Sequence, residues 1–193
     1  MTTGILGSSW PARLTLIAAI ACLYAGAVDI NNSLLFPWLE YDDFRYLLFL
    51  PAGLKLLLVM LFNWRAVAGI AIAVTAASLN EIPYLTLAHA VVLGVSAGLS
   101  TQITLSICAR MLGIGYPWSQ LTWLSLCTLA IVIGSVDALT VHLTMYGLGL
   151  DTSDDMFSDV LKGMFGRVAG TFIFLAVSLD IRRRLLAEQN NPG

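Results

Sequence analysis

Long apolar runs alternate with short polar clusters along this chain, and the runs are long enough to cross a membrane as helices of about 20 residues. Six spans follow from the pattern: 14–35, 46–63, 66–85, 87–109, 121–146 and 160–179. Pro37, Pro83 and Pro117 punctuate the connections, and Pro51 stands near the start of the second span, where it opens or kinks a helix. The third span is the shortest at its apolar core, 66–79 extending toward 85, and a tilted or partly inserted segment is an alternative there. No alternation of β-barrel type occurs, so the expected fold class is all-α: an integral membrane bundle of six transmembrane helices forming one domain over residues 1–193.

Composition sharpens this picture. Of 193 residues 58% are hydrophobic and 11% charged, against about 25% charged in soluble proteins. The polar connections then orient the bundle. Arg13, Arg65, Arg110 and Arg182–Arg184 recur at one end; Glu40, Asp42, Asp43, Glu81, Asp151, Asp154, Asp155 and Asp159 gather at the other, with Arg45 among them. The positive-inside rule puts both termini in the cytoplasm and the protein, as a multi-pass chain, in a bacterial inner membrane. The N-terminus lacks a signal-peptide pattern, so the first span is expected to be retained. The acidic stretch "DTSDDMFSD" is expected to cap the sixth span.

Ionisable residues inside the spans are the candidate chemistry. Lys55 lies about nine residues into the second span, Asp29 near the end of the first, and Asp137 and His142 in the fifth. His89 opens the fourth span and Arg167 lies about two turns into the sixth. All fall in the outer half of the membrane on this map. A cation at such depth costs at least about 2.5–3.5 kcal/mol without a partner or a wet cavity. Asp29 is the expected partner of Lys55, and Asp137 that of Arg167.

The same charges admit two readings: paired ions that fix helix register, or an outward-facing pocket for a small polar or anionic ligand. In the second, Lys55 and Arg167 hold the anion, Asp29 and Asp137 orient them, and His142 and His89 are further candidates. A proton relay is a third use of buried Asp and His. Small residues in "AAIACLYAGA", "GIAIAVTAAS" and "GVSAGLSTQ" allow close helix packing, within the bundle or against a partner. Asn31, Asn32 and Gln102 can line a pocket or join helices, and Trp38, Trp64, Trp118 and Trp123 stand at interfacial positions. Cys22, Cys108 and Cys127 have no metal-site spacing and read as buried small residues. No phosphate loop, protease motif or nucleophile elbow occurs, and no basic stripe points to nucleic acid. The sequence identifies no cofactor.

The stretch "LPAGLKLLLVMLFNWRAVAGIAIA" resembles the signature of MASE-type bacterial membrane sensor domains, in which a Pro-Ala-Gly turn opens an apolar helix followed by a short basic hairpin. "FGRVAGTFIFL" is similar to their last helix: Gly170 matches its glycine, and Arg167 stands near the family's acidic position. The chain departs from the family in having six spans rather than about eight and no output domain. The resemblance implies a non-enzymatic sensor that signals to a separate partner, and the expected partners are the lipid bilayer and another membrane protein within it. Two alternatives remain: a substrate-capture subunit similar to those of energy-coupling-factor transporters, for which the small-residue spacing in "ACLYA" is the docking candidate, and an accessory subunit of a larger membrane complex.

Overall fold

The computed structural model describes residues 9–42, 45–82, 84–114, 122–150 and 155–189; the side chains of 37, 40–42, 45, 46, 179 and 181–189 are outside the description. Pro83, Pro117, Trp118, Asp43, Asp151, Asp154 and the first residue of the predicted fifth span, Leu121, lie outside the described residues.

Among the described residues there are six α-helices: α1 (Trp10–Asp29), α2 (Pro51–Phe62), α3 (Trp64–Glu81), α4 (Leu87–Met111), α5 (Trp123–Gly147) and α6 (Met156–Gln189). A π-helical segment, Ile30–Leu35, extends α1, and Glu40–Asp42 (β1) pairs antiparallel with Arg45–Tyr46 (β2). Large apolar side chains stand on the surface, and polar and charged groups lie buried within an otherwise apolar core. Leu23, Ile72, Val95, Ile107, Leu124 and Leu139 are exposed, while Asn31, Lys55, Thr101, Gln102, Asp137 and His142 are buried. That inversion, and four segments long and apolar enough to cross a membrane (Trp10–Leu35, Leu87–Met111, Trp123–Gly147 and Met156–Ser178), define an all-helical multi-pass membrane protein.

The remaining two helices correct the expected spans. Pro51 is the first residue of α2, so the second span does not begin as a helix at residue 46. Proline fits there because its missing N–H has no partner in a first turn. α2 has 12 residues, about 18 Å of helix, well short of a hydrocarbon core of about 30 Å. It tolerates this length because it touches each of the other helices and stands inside the bundle. α3 has 18 residues and follows α2 after one joint, Asn63, at φ +52°. Around α2 the neighbours run α1–α3–α4–α5–α6.

Small residues set the spacing of this ring. A side chain at Gly94 would strike the Ala71 carbonyl and the Thr75 hydroxyl on α3, so α3 and α4 approach backbone to backbone. Ala21 and Ala25 of "ACLYA" pack against the core built by Ile20, Tyr24, Leu56, Val59 and Ile70. Ala21, Ala25 and Gly94 thus serve packing within the bundle, whereas Ala18, Ala19 and Cys22 of the same stretches are exposed. α4 is capped by the Thr86 hydroxyl, which accepts the His89 N–H at 3.3 Å. α6 is capped by Asp155, whose Oδ1 accepts the Ser158 N–H at 3.1 Å, as the acidic stretch predicts. α6 continues to Gln189, past the expected end at 179.

Residues 47–50 are non-helical backbone between β2 and α2, packed between the π segment and α6. Such backbone is tolerated at membrane depth only when protein satisfies its polar groups. Asn31 does most of this: its Oδ1 accepts the Leu50 N–H at 3.0 Å and its Nδ2 donates to the Leu48 carbonyl at 3.3 Å. The Phe49 N–H donates to the Gly166 carbonyl at 3.1 Å. Gly170 permits that approach, because a Cβ there would overlap the Phe49 carbonyl. Asn31→Leu keeps the volume and removes both partners. It should lower stability by about 2 kcal/mol, read as a fall in Tm of about 4–8 °C in a thermal-unfolding assay.

Candidate functional site

Lys55 points from α2 toward α5 because the helix has no lipid-facing side at that level. Its ammonium pairs with Asp137 Oδ1 and lies 3.4 Å from the Ala97 carbonyl of α4. The Ser100 hydroxyl lies 3.0 Å from the same carboxylate oxygen. On the other side, Arg167 Nε donates to Asp137 Oδ2 at 3.0 Å and Nη1 reaches the Gly163 carbonyl at 3.5 Å. The Phe49 ring covers the guanidinium, 5.7 Å from its centre. One carboxylate thus holds two cations from two helices, in a medium where leaving any of them alone is costly.

This corrects the expected pairing. Asp29 is exposed at the end of α1 and accepts a hydrogen bond from the Ser33 hydroxyl at 3.2 Å. It does not meet Lys55, whose carboxylate partner is Asp137. The Asp137–Arg167 pair forms as expected. His142 is buried beside Gly163: a Cβ on that glycine would lie 2.7 Å from His142 Nε2 and 3.2 Å from Arg167 Nη1. His89 is half-buried in the first turn of α4 and does not line the cavity described next.

A cavity of about 180 Å³ opens from this cluster. Its deep end holds Lys55, Asp137, Arg167 and Tyr24; Glu81 and Ile82 stand at the other end. Along α3 it extends from Ala73 to Glu81, and along α5 from Asp137 to Met145, each on the order of 12 Å of helix. The intervening walls are mainly apolar, with Val28, Val74, Leu93 and Val141 among them. A concave, mostly apolar space with a few convergent polar groups is the form that small-molecule sites take. Of the cluster's side chains, Lys55 and Asp137 are 4% and 3% exposed, and Arg167 is 17% exposed. All three line the cavity, and Arg167 is the most exposed of them.

Several of these residues are not singled out by sequence. Tyr24, Phe49 and Gly163 look like ordinary membrane-helix residues, Ser100 is one hydroxyl in a small-residue run, and Glu81 reads as a connection residue. Asn32 lines the cavity, as its polarity within a span allows, whereas Gln102 donates to Ser106 within α4, at 3.1 Å. Cys108 is buried as expected, and Cys22 is exposed instead. Among the described residues no cluster of His, Cys, Asp and Glu side chains is placed to hold a metal ion.

Comparison with protein-family models, curated proteins and solved structures finds no match. The fold and the cluster define the class, an all-helical multi-pass membrane protein with a three-membered ion cluster at the deep end of a cavity.

Removing different members of the cluster has unequal consequences. Asp137→Asn leaves two neighbouring cations without a counter-charge, whereas Lys55→Met leaves the balanced Asp137–Arg167 pair. Asp137→Asn should cost about 3–5 kcal/mol, and Lys55→Met at least about 1 kcal/mol less, in unfolding titrations in mixed micelles.

Proposed function

We propose that this chain is a non-enzymatic, sensor-like membrane module that binds a small polar or anionic ligand in the cavity above Asp137 and signals to a separate membrane partner. The observation that carries this reading is the cavity itself, which ends on a cluster of two cations and one carboxylate. A cluster serving only helix register needs no such space beside it. Arg167 is the ligand-contacting cation, Lys55 neutralises Asp137 from behind, and His142 lies beside the contact. Asp29 and His89 take no part.

The bundle crosses a bacterial inner membrane six times with both termini in the cytoplasm, α2 completing its crossing through residues 46–50. The end of the bundle carrying Glu81 then faces outward, and the cavity opens toward that side. This orientation is supported by the Arg65 and Arg110 positions at the opposite end of α3 and α4. Phe49 supports a signalling role, because its ring covers Arg167 while its backbone is bonded to α6. A ligand drawn to the guanidinium competes with that ring, and the 47–50 segment passes the change to Asn31 and α1. The resemblance to MASE-type sensors through "LPAGLKLLLVMLFNW" accords with this reading.

Native mass spectrometry of the gently solubilised protein tests it. Wild type should retain a small molecule that Ala77→Trp, which fills the cavity without touching the ions, loses. Protein with no bound small molecule in either sample contradicts the reading. Reporter fusions after Gly193 should be active only when the reporter works in the cytoplasm; activity of a periplasm-dependent reporter there contradicts the six-crossing topology.

A further inference from the structure

We propose that the ligand of this cavity is a slim monocarboxylate: one anionic group at the deep end and an apolar body along the walls. The inference rests on the binding reading above and adds the chemical class. Charge is the first argument. Lys55 and Asp137 form the deeper, less exposed pair, and the carboxylate is also met by Ser100. Arg167 therefore brings one positive charge in excess to the cluster's cavity side. A single negative charge on the ligand balances it. A second negative charge further along the ligand would lie against the mainly apolar walls, so a dianion of similar length is disfavoured.

The donors fit a carboxylate. Arginine has five N–H groups in one plane; Nε is given to Asp137 and one Nη1 hydrogen to the Gly163 carbonyl. The remaining N–H groups lie along the outer edge of the guanidinium, whose face is taken by Phe49. In-plane donors on a fixed fork match the two oxygens of a carboxylate. His142 Nε2 approaches the same point beside Gly163 as Arg167 Nη1, so the imidazole is a neighbour of the bound anion. Beyond this polar end, Val28, Val74, Leu93 and Val141 offer nothing to a charged or strongly hydrated body. A space of about 180 Å³ drawn out over roughly 12 Å takes a narrow chain rather than a broad ring system.

The test is thermal unfolding of the full-length protein in nanodiscs with four probes: hexanoate, hexanamide, hexylammonium and adipate. Hexanoate should give a saturable rise in Tm of about 5–10 °C at a hundred times its Kd. The other three should give less than a third of that rise. Arg167→Gln should abolish the hexanoate response, and Arg167→Lys should weaken its Kd tenfold or more. Because Arg167→Gln can fail to fold, Ala77→Trp supplies the second check: it keeps the ion cluster and should also lose the response. An equal rise with hexanamide or hexylammonium, or a full response in Arg167→Gln, overturns the monocarboxylate class and leaves ligand binding standing. No rise with hexanoate in wild type also overturns the class. Native mass spectrometry then separates the two proposals: a copurifying small molecule preserves the binding reading, and its absence ends both.

Discussion

The Asp137 carboxylate is the constraint on which the rest of the bundle depends. It lies within the protein and pairs with Lys55 from α2 and Arg167 from α6 at once, which leaves the cluster one positive charge in excess. Burying three charged groups is expensive, and the arrangement survives because each oxygen has its own cation and Ser100 and two backbone carbonyls add further hydrogen bonds. Satisfying all of them fixes the rotation of three helices. α2 must turn Lys55 toward α5, α5 must turn Asp137 inward, and α6 must present Arg167 at the same level.

That demand explains the shape of α2. A helix surrounded by the others can be short and carry a cation, since neither its length nor its surface is set by lipid. The cost appears at its start, where residues 47–50 run as non-helical backbone and need partners from elsewhere. Asn31, Gly166 and the space left by Gly170 supply them. The same segment brings Phe49 over Arg167, so the element that completes the fold also edges the cavity.

Much of this was legible in the sequence, for physical reasons that differ by residue. The apolar runs give the helices because a bilayer demands about 20 such residues, and α1, α4 and α5 follow those runs closely. The Asp137–Arg167 pair was legible because the two residues lie at matching depth on helices joined in sequence. The partner of Lys55 was not. Depth and chain adjacency favour Asp29, but depth says nothing about rotation, and Asp29 turns outward to Ser33. The break before α2 was hidden for a related reason: Leu47, Leu48, Phe49 and Leu50 are as apolar as any helix, and the signal lay in Asn31 on another segment. Tyr24, Glu81 and Gly163 carry no local mark, because a cavity is a property of helices brought together.

The central claim is that Lys55 belongs to Asp137 and not to Asp29. A pair of double-mutant cycles measures this directly, using Lys55→Met with Asp137→Asn and Lys55→Met with Asp29→Asn, each read by unfolding titration in mixed micelles. The account predicts a coupling energy of at least about 1 kcal/mol between Lys55 and Asp137, and additivity within about 0.5 kcal/mol between Lys55 and Asp29. Strong coupling to Asp29 with additivity at Asp137 would contradict it.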